Sequence, residues 1–160
     1  MADSFLFLRP PGSLPEKEFK ARCISCGRCM VACTFRCLKM TPDFFFGGET
    51  PKVFHHQSPC HLCMKCGPAC PTGALLPVSM EESDMGTAAI DPTRCLSYRK
   101  ELNLMCWTCY ERCPLRASAI VLKNGYLPQI TDKCVGCGVC EYVCPVKAVS
   151  VTPARFRGPR

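Results

Sequence analysis

Residues 134–145 read Cys134-Val135-Gly136-Cys137-Gly138-Val139-Cys140-Glu141-Tyr142-Val143-Cys144-Pro145, and this stretch decides the fold. It contains four cysteines with the spacing C-x2-C-x2-C-x3-C before a proline. The run is typical of bacterial ferredoxins, in which three thiolates bind one [4Fe–4S] cubane and the fourth binds a neighbouring cubane. A tight loop suits a cubane because its three soft thiolates can surround one core. The x3 step advances the chain by about one helical turn, so the fourth cysteine faces the next cluster.

The same spacing occurs twice more along the chain, and a variant of it with a longer first gap runs from Cys95 to Cys113. The candidate iron ligands are therefore sixteen cysteines: Cys23, Cys26, Cys29, Cys33, Cys60, Cys63, Cys66, Cys70, Cys95, Cys106, Cys109, Cys113, Cys134, Cys137, Cys140 and Cys144. Four ligands for each cubane predict four [4Fe–4S] clusters. We interpret the chain as an electron carrier, or as an electron-transfer subunit of an oxidoreductase, that relays single electrons. No enzyme and no catalytic residue is predicted, because no motif lacks a cysteine and no nucleophile elbow or phosphate loop occurs.

The third motif differs from the others. Ten residues separate Cys95 from Cys106, whereas the other motifs have two residues there. The insertion leaves the ligand count unchanged and predicts a surface loop from Leu96 to Met105, which is either a partner contact or an ordinary solvated loop. The candidate contact residues on it are Tyr98, Arg99 and Lys100.

Disulfide bonds and zinc are the alternative explanations for so many cysteines. The chain has 17 cysteines in 160 residues, an odd number, and tight C-x2-C units suit one metal centre better than bridges across a loop. Structural zinc sites usually pair two C-x2-4-C units and do not follow this longer pattern. A binding module held by zinc or disulfides is therefore the less favoured interpretation.

The composition makes the clusters structural as well as functional. The hydrophobic fraction of 48% includes the cysteines, so little aliphatic mass is left for a core. Small domains of this kind need metals to fold, and the apo chain is expected to be largely unfolded. The formal charge of +7 is offset by cluster thiolates, so it predicts no nucleic-acid partner.

The ends of the chain bear on its compartment. No run approaches the roughly 18 apolar residues of a membrane span, so no direct span is predicted. Residues 1–8 lack the basic and long apolar regions of a signal peptide. The chain as written is predicted to be cytoplasmic, or to be an exported protein whose signal has been removed.

The spacers between the motifs predict an α+β fold of repeated units. Residues 1–20 are predicted to form an extended arm with a helical turn through Glu16–Ala21. Each later unit is predicted to be a cysteine loop, a short helix and a strand pair. The predicted hairpins lie at 38–54 with a Gly47-Gly48 turn, at 72–75 with 89–91, and at 119–130 with an Asn124-Gly125 turn, followed by a strand at 148–151. The basic tail, 153–160, is either solvated or a docking tail.

Several side chains near the motifs have open interpretations. Cys37 follows a motif that lacks the usual proline, and it is either a buried free thiol or a replacement for Cys33 as ligand. An alternative function, one labile catalytic or sensing cluster, would be located at this motif. The remaining candidates are His55, His56 and His61 as surface or cluster-supporting groups, Trp107 as a shield for its cluster, and Phe44–Phe46 as hairpin core or partner-facing patch.

The chain resembles the MauM/NapG group of ferredoxin-type proteins. The similarity covers nearly the whole chain and is carried by Leu8-Arg9-Pro10-Pro11-Gly12, Arg22-Cys23-Ile24-Ser25-Cys26-Gly27, Cys70-Pro71-Thr72-Gly73-Ala74-Leu75, and the segment from Cys106 to Pro114 with its preceding insertion. The resemblance implies an electron-transfer subunit with four [4Fe–4S] clusters. Members of the group are exported by a twin-arginine signal and work beside a membrane-bound, quinol-oxidising ferredoxin partner, which implies a periplasmic location if such a signal was removed.

The resemblance to related four-cluster subunits also implies how the motifs pair. In those subunits, one bacterial 2[4Fe–4S] ferredoxin module is nested in another, here an outer module of residues 21–54 and 114–152 around an inserted module of residues 55–113. The implied ligand sets are Cys23/Cys26/Cys29/Cys144, Cys134/Cys137/Cys140/Cys33, Cys60/Cys63/Cys66/Cys113 and Cys95/Cys106/Cys109/Cys70. Sequential pairing of motif one with two, and three with four, is the competing arrangement, and the spacer lengths leave both open.

Overall fold

A computed structural model describes residues 7–43, 48–99, 101 and 104–156. Short helices alternate with short strands, in agreement with the predicted α+β class. The helices are α1 (Glu16–Arg22), α2 (Arg28–Ala32), α3 (Thr108–Arg112), α4 (Arg116–Ala119), α5 (Val139–Val143) and a 3-10 helix (Ala154–Phe156). The strands are β1 (Leu38–Pro42), β2 (Glu49–Val53), β3 (Gly86–Ile90), β4 (Ile120–Lys123), β5 (Leu127–Ile130) and β6 (Val149–Pro153).

Two of the predicted hairpins are confirmed. β1 pairs with β2 and β4 pairs with β5, both antiparallel. The turn between β4 and β5 contains Asn124 and Gly125, with φ of 55° and 81°, and such left-handed pairs match the twist of a hairpin. The predicted turn residue Gly47 and the Phe44–Phe46 run lie outside the described residues.

The third predicted hairpin is wrong. β3 does not pair with residues 72–75; it pairs antiparallel with β6, from Gly86↔Pro153 to Ile90↔Val149. Residue Leu75 instead forms an antiparallel bridge with Ser13. The Ser13–Leu75 bridge joins the two ends of residues 7–76, which we call the N-terminal half. The β3–β6 pair joins the two ends of residues 86–156, which we call the C-terminal half.

These pairings follow chain order and not the predicted nested division into 21–54 with 114–152 around 55–113. In the nested arrangement, the outer module would draw its strands from residues 21–54 and 114–152. The observed β3–β6 pair instead joins residues 86–90 of the predicted inserted module to residues 149–152 of the predicted outer module and to Pro153 of the predicted tail. β3 and β6 pair with each other because the closed pair buries Ala88, Val149 and Val151.

The backbone repeats along with the cysteines. In three of the four motifs, the residues just before and just after the second cysteine have positive φ. The residue three positions after every fourth cysteine also has positive φ. These left-handed residues are Ser25, Gly27, Leu62, Met64, Gly136 and Gly138 around the second cysteines, and Arg36, Gly73, Arg116 and Lys147 after the fourth. Left-handed residues reverse the chain direction locally, so each loop curls around the space that its thiols face.

The helices follow the cysteine loops less uniformly than predicted. Three motifs have a five-residue helix that contains the third cysteine, namely α2, α3 and α5. The second motif has only turns there, because its third cysteine is followed by Gly67-Pro68, two residues that disfavour helix. The predicted helical turn at Glu16–Ala21 is confirmed as α1.

The N-terminal arm is part of the core and not a separate extension. Leu8 and Phe19 are fully buried, and Leu8 bridges Val53 at the edge of β2. Arg9 is also buried and donates to both carboxylate oxygens of Glu16, from Nε at 2.9 Å and from Nη2 at 2.5 Å. Such a paired contact is among the stronger charge-assisted hydrogen bonds, so it fastens the arm to α1.

The start of the basic tail is likewise folded. Residues 149–153 form β6, and the 3-10 helix follows. The guanidinium carbon of Arg155 lies 3.5 Å from the centroid of the Phe7 ring. Residues 153–155 are therefore packed against the fold and not solvated, whereas Phe156 is exposed, and residues 157–160 lie outside the described residues.

We expect the Glu16→Gln variant to be destabilised by about 1–2 kcal/mol at neutral pH. Burial raises the pKa of Glu16, but hydrogen bonds and charges from Arg9 and Lys20 outweigh it and lower the pKa from 4.5 to about 2. A carboxylate with a lowered pKa contributes its full stabilisation above about pH 4.5, and this contribution shrinks as the pH falls toward 2. The expected free-energy change is smaller than the full pKa shift would give because Glu16 is partly exposed to solvent.

The measurement is the thermal midpoint of bleaching of the visible absorbance of holoprotein. The deficit of Glu16→Gln relative to wild type is expected to be equal at pH 7 and 5.5 and smaller at pH 4. Glu18→Gln on the exposed side of the same helix is the matched control. A deficit that stays constant down to pH 4 would contradict the assignment to the Glu16 carboxylate.

Candidate iron–sulfur sites

One cavity in the N-terminal half is lined by thiols from two motifs. Cys23, Cys26 and Cys29 of the first motif meet Cys70, the last cysteine of the second. The other lining residues are mostly apolar, including Phe19 and Leu75. The Leu75 N–H donates to Cys70 Sγ at 3.5 Å. Four thiols from one loop and one distant turn therefore face a single apolar space.

Two cavities in the C-terminal half repeat this design. One is lined by Cys95, Cys106, Cys109 and Cys144, and the other by Cys113, Cys134, Cys137 and Cys140. Backbone amides again donate to the sulfurs. The Ala148 N–H lies 3.2 Å from Cys144 Sγ and the Ala88 N–H lies 3.5 Å from Cys134 Sγ.

The four remaining motif cysteines lie near one another in the N-terminal half. Burial raises the pKa of Cys66, and charges at Cys60 and Cys63 raise it further, to about 12 in all. Cys33 is connected to this group through Cys37, whose Sγ lies 3.5 Å from Cys33 Sγ and is also hydrogen-bonded to Cys60. Cys33 thus lies beside the second motif.

The nested ligand sets do not agree with these groups. The structure brings Cys70, and not Cys144, to the first motif, and it brings Cys144 to the third motif. Cys113 lies with the fourth motif, not with the second, and Cys33 lies beside Cys60 instead of beside Cys134. The strand pairing explains the difference, because closing each half on itself brings together only the two motifs within that half.

The donor sets fit iron–sulfur cubanes. Each cavity offers four soft thiols and an apolar wall, together with N–H groups at some sulfurs, the donors by which proteins tune such clusters. Within the described ranges, no three His, Cys, Asp or Glu side chains converge closely enough to hold one metal ion. The motif cysteines that line the three cavities, four to each, are the residues that would hold clusters there.

Burial keeps several of these thiols protonated in the absence of metal. It raises the pKa of Cys29 and Cys109 to about 11 and that of Cys137 to about 12, and it raises that of Cys140 well above 9.0. Metal ligands must be deprotonated, so cluster binding releases these protons and compensates the cost of buried charge.

The two halves meet through the loops of the second and fourth motifs. The Cys60 N–H donates to the Cys137 carbonyl oxygen at 3.1 Å. We call the contact of these loops the junction. It places Cys60 of one half directly against Cys137 of the other.

A histidine and a glutamate support the junction, and sequence reasoning missed this role. His55 is 2% exposed, and its Nε2 lies 3.1 Å from Glu141 Oε2. Glu141 also accepts a hydrogen bond of 2.7 Å from the Val151 N–H. Burial raises the pKa of Glu141, but the hydrogen bond and charge of His55 outweigh it, so the pKa is lowered. The only sequence signal for this supporting role is the position of Glu141 inside the fourth motif.

The other candidate side chains take varied positions. His56 is half-buried, and the exposed His61 stacks on Phe35 with ring centroids 4.6 Å apart. Trp107 is half-buried and donates from Nε1 to Glu111 at 3.1 Å; the shielding predicted for it stays a prediction.

The inserted loop of the third motif is hydrogen-bonded to Cys106. Ser97 Oγ donates to the Cys106 carbonyl and accepts from the Cys106 N–H, at 2.6 and 2.8 Å. Tyr98 is half-buried and its hydroxyl donates to the Pro128 carbonyl at 3.1 Å, so this hydroxyl is engaged within the chain. Lys100 lies outside the described residues.

Cys37 is buried, at 2% exposure, and its role as a free thiol, instead of a replacement for Cys33 as ligand, stays a prediction. Its hydrogen bond to Cys60, together with burial, raises its pKa in the absence of metal. When Cys33 and Cys60 are ligand thiolates, Cys37 is the group that donates. We expect Cys37→Ala to keep its iron and to lower the midpoint potential of one cluster, because a hydrogen bond to ligand sulfur is lost.

A redox titration followed by EPR checks this expectation. Cys37→Ser keeps a donor at the same position, so its potential should lie between those of wild type and Cys37→Ala. Loss of about four irons from the alanine variant would instead identify Cys37 as a ligand, and four unchanged potentials would remove it from any tuning role.

Comparisons with known proteins agree with this donor set. A family model described as a 4Fe-4S dicluster domain matches residues 22–74, and one described as a 4Fe-4S binding domain matches residues 128–150. The first match covers both motifs of the N-terminal half in one continuous segment. The fold and the thiol groups thus define a ferredoxin-type iron–sulfur protein of electron transport.

Relatives resolve the family further. The methylamine utilization ferredoxin-type protein MauM of Methylorubrum extorquens is 38% identical, across 91% of this chain and 72% of that protein. The MauM protein of Paracoccus denitrificans is 36% identical, across 91% of this chain and 71% of its own length. The ferredoxin-type protein NapG of Escherichia coli is 35% identical, with coverages of 91% and 70%. The chain belongs to the MauM/NapG family of ferredoxin-type proteins.

Among the residues that the structure describes, no helix has both the length and the apolar character needed to cross a bilayer.

Proposed function

We propose that this chain relays single electrons between two redox proteins by means of four [4Fe–4S] clusters. The observation that carries the proposal is the convergence of four thiols on each of three apolar cavities, with the remaining motif cysteines grouped around Cys60. A bound cubane supplies reversible one-electron chemistry. The chain itself holds the clusters, donates N–H groups to their sulfurs and excludes water from their buried sides.

The proposed ligand sets follow chain order within each half. They are Cys23/Cys26/Cys29/Cys70, Cys33/Cys60/Cys63/Cys66, Cys95/Cys106/Cys109/Cys144 and Cys113/Cys134/Cys137/Cys140. The shared cavities support three of these sets, and the contact of Cys33 and Cys37 with Cys60 supports the other. The single dicluster match over residues 22–74 also supports the N-terminal pair.

The junction suggests the order of the four sites. Cys60 touches Cys137 across it, so the sets that contain these two residues are the inner ones. The sets that contain Cys26 and Cys106 are then the outer ones. Electrons would enter at one outer site and leave at the other, with no substrate chemistry on the chain.

The donor and acceptor are proposed to be redox proteins. Relatives named as ferredoxin-type proteins of methylamine utilization support a role within a larger electron-transfer system. A membrane-bound, quinol-oxidising ferredoxin subunit is the donor that the family resemblance favours, with a redox enzyme as acceptor. This chain would then be an electron-transfer subunit.

Iron, acid-labile sulfide and zinc per chain of anaerobically purified protein test the proposal. We expect about sixteen irons and about sixteen sulfides, and visible absorbance that dithionite bleaches and air restores. About eight irons would reduce the proposal to two clusters. Stoichiometric zinc without iron, or no metal and no free thiols, would overturn it in favour of the zinc- or disulfide-held module.

A further inference from the structure

One motif cysteine differs from the rest in its exposure. Of the seventeen cysteines, Cys26 is the only one classed as exposed; the others are buried or half-buried. It belongs to an outer site of the proposed row. Electrons pass between proteins most readily where a cluster approaches the surface, so the segment around Cys26 is the natural place to search for a partner contact.

Exposed apolar side chains surround Cys26 in the sequence. Ile24 is 64% exposed and Val31 is 84% exposed. Met30 and Phe35 are exposed as well. Single exposed apolar residues are ordinary, but four within twelve residues beside the one exposed ligand form the kind of surface that a partner covers.

The charged residues of this segment all have one sign. From residue 19 to residue 42 the chain has five basic residues and no acidic residue. The exposed acidic residue Glu49 of β2 contacts this segment, because its carbonyl oxygen accepts a hydrogen bond from Ser25 Oγ. Arg22, Arg28 and Arg36 are exposed. The segment around the other outer site is mixed, since residues 94–112 contain four basic residues, Arg94, Arg99, Lys100 and Arg112, and two acidic ones, Glu101 and Glu111.

We propose that the segment from Arg22 to Arg36, which we call the basic face, is the docking surface for an acidic redox protein that exchanges electrons through the Cys26 site. The proposal rests on the proposed function. Its charge fixes the partner chemistry: carboxylates around an apolar centre, complementary to arginines around Ile24 and Val31. Complementary charge increases the rate of encounter and orients the partner.

The test uses two reductants with the same redox core and opposite charge. One is the methyl viologen radical, a cation, and the other is the radical of a viologen with sulfonated propyl arms, an anion. Each reduces oxidised holoprotein in a stopped-flow instrument at low ionic strength. Wild-type protein is expected to react with the anionic radical faster than the reduction potential of that radical alone would predict. Added salt should remove this excess rate.

Charge reversal on the basic face should change the two rates in opposite directions. For the double variant Arg28→Glu/Arg36→Glu, we expect the rate with the anionic radical to fall by about tenfold, the low end of electrostatic steering, and the rate with the cationic radical to rise. Lys123→Glu, a single exposed charge reversal on β4, is the control, and its effect on either rate should be far smaller per reversed charge.

A protein probe then tests docking itself. An acidic flavodoxin in its hydroquinone form should reduce wild type in a salt-sensitive reaction that both Arg28→Glu/Arg36→Glu and Val31→Ser slow. Equal effects of Lys123→Glu would overturn the basic face. So would rates that change in the same direction for both viologens, because that result reports an altered potential only.

The iron content separates the two levels of failure. Variants that keep about sixteen irons per chain but show wild-type rates would overturn the basic face and leave the electron-transfer proposal intact. Wild-type protein without iron would overturn the proposed function itself.

Discussion

Replacing Cys26 and Cys70 together should remove no more iron than replacing either one alone. Each single alanine variant is expected to lose one cluster and keep about twelve irons, because a cubane needs its thiolates. If both cysteines face the same cavity, as they do in the structure, the second substitution has nothing further to remove. Non-additivity of this kind is the signature of two residues that act on one site.

The contrasting pair is Cys26→Ala with Cys144→Ala. These cysteines line different cavities, so we expect two lost clusters and about eight irons. The nested arrangement makes the opposite assignment, with Cys144 beside the first motif, and expects about twelve irons for this pair and about eight for Cys26 with Cys70. Iron per chain, normalised to protein by amino-acid analysis, decides between them.

A second pair of cysteines from one cavity keeps the test decisive if a variant that loses two clusters does not fold. A variant that loses two clusters from different sites could fail to fold, because the clusters replace much of the core. Cys106→Ala with Cys144→Ala removes two thiols from one cavity and should keep about twelve irons. About eight irons in this variant would contradict the ligand sets whatever happens to the others.

The sequence was sufficient for the cysteine loops but not for the way in which they come together. Metal-binding loops are local, so the cysteine spacing and the Asn124-Gly125 turn report on structure within a few residues. β3 and β6 are short, weakly patterned strands far apart in the chain, and nothing within either one specifies its partner. Whether Cys33 meets the second or the fourth motif depends on that non-local pairing.

The junction was also beyond sequence reasoning. His55 was one of three histidines beside the second motif, and the sequence does not distinguish the buried residue that pairs with Glu141 from exposed His61. Glycine at position 138 could be predicted as a residue that allows the loop to curl. That the same glycine has no room for a side chain depends on the opposite half of the molecule.

Gly138→Ala is expected to open the junction between the second-motif and fourth-motif loops without removing a ligand. Gly138 has φ of +87°, and a Cβ there would lie 2.3 Å from His55 Cβ. The left-handed conformation costs about 1 kcal/mol for alanine, and relieving the overlap costs about 1–3 kcal/mol more. The cheapest relief is movement of the fourth-motif loop away from His55, which lengthens the 3.1 Å contact between the Cys60 N–H and the Cys137 carbonyl.

Gly125→Ala is the matched control because it isolates the conformational cost. Gly125 has a similar φ of +81°, but nothing lies within 4 Å of its Cβ position. We expect this variant to lose about 1 kcal/mol and to transfer electrons normally. Both variants should retain about sixteen irons, which confirms that a change in electron transfer does not reflect a missing cluster.

The decisive measurement is magnetic coupling between clusters in fully reduced protein, followed by EPR. The inner sites on either side of the junction should couple in wild type and in Gly125→Ala, and this coupling should weaken in Gly138→Ala because it falls steeply with distance. Stopped-flow reduction should then separate into two phases, one for each half. Coupling and kinetics that remain like wild type in Gly138→Ala would show that electrons do not cross at Cys60 and Cys137, and the order of the row would have to be redrawn.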